Sequence, residues 1–304
     1  MKLGVSSSRV MPVSGRASSN WRHIGFMLLL LSLPVTLSLP SVVAAQEVEQ
    51  KQIDQRFTVR GGWAYVWGAD TTITVPGPSG IAGTSLDYAK TLGGGTTTDA
   101  LRVDGLWRFN EKHAAQFAWY RVAFSGQNTL DQQIVVGDNT INAGATTNSS
   151  LSFNMYRAMY QYSFYRNEQV ELAFIPGLYL AKTNFMLAAN GSITSNGTPV
   201  ASGFSQTNEN LTLPLPSVGF LANYQLSPKL LTQIRTDFFY LKIGNFEGSM
   251  MEFYAGLEYR LHKHFGLGAA YDRLVVNAQS SASNGFTADM NWNLLYLYAS
   301  VYVF

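Results

Sequence analysis

The chain has 304 residues, of which 46% are hydrophobic and 13% charged, and its mean hydropathy is close to zero. The charged fraction is about half the roughly 25% of ordinary soluble domains, and the absence of cysteine excludes disulfides, thiolate catalysis and thiolate metal sites. The formal charge of +2 comes from residues 1–45, which hold four basic and no acidic side chains. The rest of the chain has 17 basic residues (21 less 4) against 19 acidic ones, a net charge of −2, so no nucleic-acid partner is indicated.

Residues 1–45 have the pattern of a secretory signal peptide. Basic residues precede an apolar stretch from Ile24 to Leu39, and Val43-Ala44-Ala45 gives the small-residue pattern of a cleavage site. The apolar stretch is short for a membrane span and is interrupted by Pro34, which makes an uncleaved anchor the weaker alternative. We expect cleavage after Ala45 and a short periplasmic lead over residues 46–56.

Ten later segments alternate with a period of two, with apolar and aromatic residues on one face and nearly all charged residues on the other. The segments are 57–68, 99–109, 113–124, 150–165, 169–185, 212–226, 229–242, 247–260, 264–276 and 286–304. This alternation is the signature of strands in an outer-membrane β-barrel. It predicts an all-β fold, a closed antiparallel transmembrane β-barrel over residues 57–304. Ten strands are expected, and counts of eight or twelve stay open because the signal of each strand is faint.

Tight turns and longer polar loops alternate between the segments. The turns are Asn110-Glu111-Lys112, Arg166-Asn167-Glu168, Ser227-Pro228-Lys229 and Leu261-His262-Lys263, and the loops lie near 69–98, 125–149, 186–211, 243–246 and 277–285. Short turns of this kind belong on the periplasmic side and longer loops outside the cell, and the loops are expected to continue some strands as hairpins. The chain is therefore predicted to lie in the bacterial outer membrane with both termini in the periplasm.

Aromatic residues identify the lipid-facing side of the predicted wall. In the first segment Phe57, Trp63 and Trp67 share one face, and later segments repeat the design. With that phase twelve charged side chains point inward, six cations and six anions: Arg60, Arg102, Asp104, Arg108, Arg157, Glu171, Arg235, Asp237, Glu252, Glu258, Arg260 and Asp272. No charge falls at the middle of a lipid face, where an Arg or Lys costs about 2–4 kcal/mol.

Balanced charges in a narrow lumen are expected to pair, because an unpaired buried ion is costly. Barrels of about eight strands are just filled by side chains, whereas open aqueous channels occur at around sixteen. Large residues are also predicted to point inward, namely Tyr120, Tyr179, Phe239, Leu241 and Tyr254. A largely filled lumen is the favoured interpretation, and a narrow porin-like channel for small solutes is the alternative.

Four basic residues continue the outward phase near the loop side of four different segments: Arg121, Lys182, Lys242 and Arg273. Arginine and lysine form strong charge-assisted hydrogen bonds with phosphate. The hypothesis is that they contact the phosphates of lipopolysaccharide. The alternative is that the strand phase is lost there and these are solvated surface charges.

Catalytic chemistry is poorly represented in this sequence. The three histidines of the mature chain, His113, His262 and His264, lie at turns assigned to the periplasmic side, away from where outer-membrane hydrolases place theirs. A loop carboxylate pair, Asp87 with Asp131 or Asp138, would be the remaining candidate. We predict no catalytic residue, no metal site and no cofactor, with a hydrolase as the third functional candidate.

The chain resembles small barrels of the broad OmpA/OmpW-like superfamily. The residues that carry the resemblance are Leu101 to His113 (LRVDGLWRFNEKH), Tyr160 to Glu168 (YQYSFYRNE) and the terminal Tyr302-Val303-Phe304. In the last segment Leu294, Tyr296, Tyr298, Tyr302 and Phe304 share one face, which Ser300 interrupts. The resemblance implies that Tyr302 and Phe304 act as a signal to the barrel assembly machinery, and it carries over no catalytic residue. The predicted function is a non-enzymatic role in envelope integrity or surface interaction through the polar loops, with the surface ligand unknown.

Overall fold

The computed structural model describes residues 52–74, 77, 83–136, 139–195, 198–280 and 286–304, and for 200–211 it describes the backbone alone. The predicted signal peptide, its cleavage site and most of the predicted periplasmic lead lie outside these residues. Within the described residues, no helix has both the length and the apolar character needed to cross a membrane.

The described chain is built almost entirely of β-strands, which confirms the prediction of an all-β chain. A 3-10 turn covers Gln52–Asp54 and one short helix, α1, covers Tyr88–Leu92. The strands are β1 (Phe57–Thr74), β2 (Ser85–Asp87), β3 (Thr98–Arg108), β4 (His113–Thr129), β5 (Ile134–Val136), β6 (Asn139–Ile141), β7 (Thr146–Arg166), β8 (Val170–Phe174), β9 (Gly177–Ser195), β10 (Thr198–Ser227), β11 (Leu230–Ile243), β12 (Phe246–His262), β13 (Phe265–Ser280) and β14 (Thr287–Val303).

The long strands form a near-barrel ring of ten antiparallel segments in the described chain. The order around it is β1, β3, β4, β7, β8 with β9, β10, β11, β12, β13 and β14. The last strand pairs with the first over a register that runs from Phe57 opposite Val303 to Thr74 opposite Thr287. All these pairings are antiparallel, as the predicted alternation of turns and loops requires.

The fifth predicted segment, 169–185, is divided into β8 and β9 at Ile175 and Pro176. Both pieces pair with β7 and β10, so the ring continues across the break. Proline has no N–H to give to the ladder, which accounts for the interruption. The Pro176 carbonyl still accepts a hydrogen bond from the Tyr160 N–H at 2.9 Å, and Ile175 exchanges two backbone bonds with Gly219.

Outward aromatic residues follow the predicted phase over most of the ring, but β14 reverses it. Trp63 and Trp107 are exposed on the outer face, whereas Tyr296 and Tyr302 are fully buried on the inner face of β14. The outer face of β14 carries aliphatic residues instead: Leu295, Leu297, Val301 and Val303. The reversal arises because these tyrosines fill the lumen; the Tyr296 and Tyr298 rings stack with centroids 4.7 Å apart. Aromatic content is therefore not a sufficient guide to which side of a strand faces outward.

The four predicted tight turns lie at one end of the ring, which we call the turn end, and the predicted loops lie at the other, the loop end. The loop predicted near 243–246 is wrong in length, because β11 and β12 are joined there by a two-residue turn at 244–245. Side-chain amides close two of the turns: Asn110 Oδ1 accepts from the N–H groups of Lys112 and His113, and Asn167 Oδ1 accepts from those of Gln169 and Val170. Such Asx turns offer the backbone the acceptor that a turn lacks. The fourth turn lies at 263–264, slightly beyond its predicted position, because β12 extends to His262.

The three predicted long loops near 69–98, 125–149 and 186–211 contribute an additional structure at the loop end. We call the described residues of 83–97, 125–151 and 185–195 the head. Within it β2 pairs with β1, β5 with β6, and β6 with β9. Thr84 joins the two halves, since its N–H donates to the Val135 carbonyl and its Oγ1 accepts from the Val135 N–H. These pairings connect β1 to β9 outside the ring order.

Helix α1 lies in the head and was not predicted. Asp87 caps it by accepting a hydrogen bond from the Lys90 N–H at 3.0 Å, and Gly93 ends it at φ 66°, a left-handed conformation that glycine adopts without strain. Its buried residues Tyr88 and Leu92 pack into an apolar core with Leu86, Ile134, Leu151 and Leu187. Five residues are too few to show a helical period in the sequence.

Neighbouring glycines on β1 test the pairing of β1 with β14. A Cβ added at Gly62 would lie 2.0 Å from the Leu297 carbonyl oxygen and 2.6 Å from the Tyr298 Cα, whereas one added at Gly61 meets nothing within 4 Å. We expect Gly62→Ala to destabilise the folded protein by about 1–3 kcal/mol through overpacking against backbone. Gly61→Ala is the matched control and should change stability little.

The measurement is urea unfolding in lipid vesicles, with the temperature at which SDS unfolds the protein as a second readout. Equal stability of the two alanine variants would contradict the close β1–β14 pairing.

Candidate functional site

The twelve charged residues assigned to the lumen all lie on the inner face of the ring. Eleven are buried, and the Asp104 side chain is 13% exposed. They divide into a central group and a turn-end group. The central group is Arg102, Asp104, Arg157, Arg235, Asp237, Glu252 and Asp272, and the turn-end group is Arg60, Arg108, Glu171, Glu258 and Arg260.

Arg102 on β3 is the centre of the first group. Its Nε and Nη2 donate to the Asp104 carboxylate at 3.0 and 3.1 Å, its Nη1 donates to Asp272, and its Nη2 lies 3.8 Å from Glu252 Oε1. The guanidinium carbon also lies 5.1–5.5 Å from the ring centroids of three tyrosines, Tyr120, Tyr254 and Tyr296. Because these groups come from β3, β4, β12, β13 and β14, one side chain connects strands from across the lumen.

Arg235 and Arg157 extend the central group toward β9 and β11. The Arg235 Nε donates to Asp237 Oδ2 at 2.7 Å, and its Nη2 donates to Glu252. Asp237 Oδ2 also accepts from the Tyr179 hydroxyl at 2.7 Å and lies 3.7 Å from the Arg157 Nε. The carboxylates therefore have guanidinium or hydroxyl partners within the lumen, as burial of charge requires.

Glu171 anchors the turn-end group. Its carboxylate lies 2.8 Å from the Arg108 Nη1 and accepts from the side chains of Gln161, Ser163 and Asn223 at 2.9, 2.6 and 2.9 Å. Amide and hydroxyl side chains on the inner face thus bind Glu171 together with Arg108, whereas the sequence analysis considered only charged residues for the lumen. Their positions in the sequence could have indicated this role, because they fall on the inward-facing phase of β7 and β10.

Ser300, which interrupts the apolar series of β14, belongs to the same end of the lumen. Its Oγ donates to Glu258 Oε2 at 2.9 Å, and the Arg60 Nε donates to the same oxygen. Arg260, also in this group, donates to the Pro228 carbonyl at 2.8 Å. A small polar residue in an otherwise apolar series is thus explained by a hydrogen bond to a buried carboxylate.

The turn-end mouth of the lumen is covered by the 3-10 turn that precedes β1. Ile53 is buried there, and the Arg166 guanidinium holds the turn by donating to the Ile53 carbonyl at 2.9 Å and to Asp54 at 2.7 Å. Above it lies a cavity of about 30 Å³, lined by Ile53, Arg108 and Glu171 among others. A volume of this size is that of one or two water molecules.

The loop-end mouth is filled by aromatic side chains. The Trp292 ring on β14 packs edge-on against Phe124 of β4 and Phe153 of β7, with centroids 5.6 and 5.1 Å apart. Its Nε1 donates to the Thr71 hydroxyl at 2.9 Å, so its polar atom has a partner although the side chain is fully buried. The head core continues above these rings.

The four basic residues considered for lipopolysaccharide are all exposed on the outer face. Lys182 places its ammonium 5.6 Å from the centroid of the Tyr156 ring. Lys242 bonds to Glu247 Oε2 at 2.9 Å. Arg121 on β4 and Lys182 on β9 are both opposite Asn154 on β7, whereas Lys242 and Arg273 lie on β11 and β13.

Several of the residues weighed for catalysis are engaged in structural contacts, whereas Asp131 is exposed. His113 Nδ1 bonds with the Tyr160 hydroxyl, and His264 Nδ1 lies 3.1 Å from the Tyr302 carbonyl oxygen. Partial burial opposes ionisation of Asp87, but the hydrogen bonds from the Lys90 side chain and backbone outweigh it and hold the pKa of this carboxyl below its usual value. Asp138 lies outside the described residues, and among those described no three His, Asp or Glu side chains form a metal-binding group.

The two residues assigned to the assembly signal lie on the inner phase of β14. Tyr302 is fully buried, Phe304 is half-buried, and their ring centroids are 6.4 Å apart. Their role in assembly stays a prediction.

The chain was compared with protein families, curated proteins and solved structures. No family model and no curated protein matches it. Among solved structures it is similar to the outer membrane protease OmpT of Escherichia coli, with 10% identity, TM-score 0.48, and coverage of 84% of this chain and 98% of the other. It is also similar to the outer membrane protein OprG of Pseudomonas aeruginosa (11% identity, TM-score 0.33, 81% and 95% coverage) and to the attachment invasion locus protein Ail of Yersinia pestis (11%, 0.29, 80% and 99%). The structures it resembles are thus outer-membrane β-barrel proteins.

Proposed function

We propose that this protein is a monomeric, non-enzymatic β-barrel of the bacterial outer membrane whose ten strands close around a filled, charge-paired lumen. Its role is structural support of the envelope and surface interaction through the polar head. The observation that carries the proposal is the separation of chemistry across one wall, with ion pairs inside and large apolar side chains outside.

The outer face has the composition of a lipid-facing surface. Large apolar side chains are exposed on successive strands, among them Leu101 (65%), Trp107 (54%), Phe220 (54%) and Leu257 (50%). Soluble monomers rarely expose contiguous apolar surface of this extent. A bilayer supplies the apolar surroundings that such a wall needs, and the pairing of β1 with β14 removes the sheet edges that lipid cannot solvate.

A filled lumen is favoured over a channel by what occupies it. The central ion pairs, the Trp292 group at the loop end and the Ile53 turn at the turn end lie one above another along the lumen. Between them the described cavity has room for about two water molecules at most. A continuous water path for solutes would require several of these groups to move together.

A surface role is supported by the polar outer face of the head. Beyond the aromatic part of the wall, β4 and β7 continue with outward Ser125, Gln127, Asn148 and Ser150, paired across the two strands. Polar side chains on a rigid hairpin are suited to contact sugars or proteins outside the cell. An enzymatic role is less favoured, since Asp87, one of the carboxylates considered for catalysis, is held in an ion pair with Lys90.

Removal of the central guanidinium tests whether the lumen charges stabilise the fold as a group. Arg102→Met leaves Asp104, Asp272 and Glu252 short of a positive partner, and we expect it to lower the free energy of unfolding by about 3–5 kcal/mol. The exposed turn residue Lys229 provides the control, because Lys229→Gln removes the same charge without breaking a buried pair. Urea unfolding in lipid vesicles measures both; a loss for Arg102→Met no larger than for Lys229→Gln would argue against a paired lumen.

Conductance separates the filled barrel from the channel. Purified protein in a planar bilayer should give no stable unitary current, because paired side chains occupy the lumen. The channel alternative predicts currents whose size changes when Arg157 or Glu252 is substituted. Stable currents with that dependence would replace the filled-lumen proposal.

We further propose that Arg121, Lys182, Lys242 and Arg273 contact lipopolysaccharide phosphates at the loop end. Replacing all four by Gln should lower the thermal midpoint in lipopolysaccharide more than in detergent. The matched control replaces four exposed basic residues of the turn end, Arg56, Lys112, Lys229 and Lys263, which face the inner leaflet. The proposal is wrong if the thermal midpoint of the loop-end variant falls by the same amount in lipopolysaccharide and in detergent. It is also wrong if the fall in lipopolysaccharide is no larger than that of the control variant.

A further inference from the structure

We propose that Arg121, Asn154 and Lys182 form one binding site for a phosphate group of lipid A, the phosphorylated glucosamine disaccharide of lipopolysaccharide. We call these three residues the phosphate clamp. The proposal rests on the outer-membrane role argued above. Of the four basic residues considered for lipopolysaccharide, it assigns two to a single site that spans three adjacent strands.

The strand register brings the clamp together. Arg121 on β4 is directly opposite Asn154 on β7, and Asn154 is directly opposite Lys182 on β9. Neighbouring strands are about 4.8 Å apart, so the backbones of Arg121 and Lys182 are separated by about 10 Å with Asn154 between them. All three side chains belong to the outward phase: the residues on either side of Arg121 and of Asn154 are buried, and so is Ala181 before Lys182. Long Arg and Lys side chains can therefore meet above the central amide.

The clamp lies where the outer wall changes from apolar to polar. One step toward the turn end, the outward residues on the same strands are Trp119, Tyr156 and Leu180. One step toward the loop end they are Ala123, Ser152 and Asn184, and the Asn184 amide donates to the Ser152 hydroxyl at 3.3 Å. Aromatic girdles mark the interface between hydrocarbon and headgroups. The clamp is thus at the depth of the headgroup phosphates.

The cations of the clamp are available to an external anion. Within the described residues, neither Arg121 nor Lys182 has a carboxylate within 4 Å, whereas Lys242 is already bonded to Glu247. The Tyr156 ring, which lies on the turn-end side of Lys182, stabilises its ammonium group through a cation–π contact. The strand register divides the four basic residues into two pairs. Arg121 and Lys182 share one cross-strand neighbour, whereas Lys242 and Arg273 lie opposite different residues of β12, Glu247 and Phe253.

The donor set of the clamp matches a phosphate attached to a sugar. A guanidinium binds two phosphate oxygens at once, and an ammonium adds a point charge. The Asn154 amide can donate to a third oxygen or accept from a sugar hydroxyl without adding charge. Ser152 and Asn184 supply further hydroxyl and amide groups on the side where a sugar would extend. These groups favour a phosphorylated glycolipid over a glycerophospholipid.

Two double variants of equal charge test the clamp in the full-length protein. Arg121→Gln with Lys182→Gln removes the clamp cations, and Lys242→Gln with Arg273→Gln removes two others. Thermal midpoints are measured in detergent alone and after addition of diphosphorylated lipid A. We expect the lipid-induced rise of the clamp variant to fall below half that of the unmodified protein, and the rise of the control variant to stay close to it.

The outcomes separate the clamp from the broader contact. If both double variants lose the lipid-induced rise equally, the clamp is overturned and the four-residue contact with lipopolysaccharide is kept. If neither variant loses it, both the clamp and the four-residue contact are overturned. Dephosphorylated lipid A should not distinguish the variants. If phosphatidylglycerol vesicles reproduce both the rise and its loss in the clamp variant, the glycolipid assignment is overturned.

Asn154 provides a test that leaves net charge unchanged. Asn154→Ala should reduce the lipid-induced rise partly, and Asn277→Ala, at an exposed asparagine of β13, should not. An unchanged response of Asn154→Ala would overturn the three-residue site.

Discussion

The rest of this structure depends on the cost of holding ionised side chains on the inner face of a narrow ring whose outer face is apolar. A buried ion is tolerated only with a partner, and loss of one member of a pair costs more than the pair contributes. Arg102 meets this condition with three carboxylates and three tyrosine rings. Since those partners come from strands on several sides of the ring, the requirement to pair charge also fixes which strands face one another.

Pairing of charge in turn determines what the lumen can do. In the proposed function, side chains that contact each other fill the lumen, and the two mouths are covered by different means. The loop end uses the aromatic contacts of Trp292, while the turn end uses a backbone turn held by Arg166. Specificity for an external partner would then come from the outer surface, namely the polar head and the exposed basic residues near it.

Much of the fold could be predicted from the period-two pattern of the sequence alone, because successive residues of a strand face opposite sides of the wall. The twelve charged residues that it assigned to the lumen lie on the inner face of the ring, where burying an ion without a partner is costly. It failed where the forces were weaker: Tyr296 and Tyr302 are equally suited to a lumen and to a lipid interface, and α1 is too short to show a period. The head pairing through Thr84 and Val135 joins distant loops, which no local pattern encodes.

The even balance of six cations and six anions holds only for the lumen as a whole. The central group has three guanidinium groups and four carboxylates, whereas the turn-end group has three guanidinium groups and two carboxylates. Arg60 of the turn-end group lies directly opposite Asp104 of the central group in the β1–β3 register, and both line the same small cavity. Opposite charges in such a cross-strand position attract. A cation of the group that has more cations thus lies opposite an anion of the group that has more anions, so the two groups adjoin at this position.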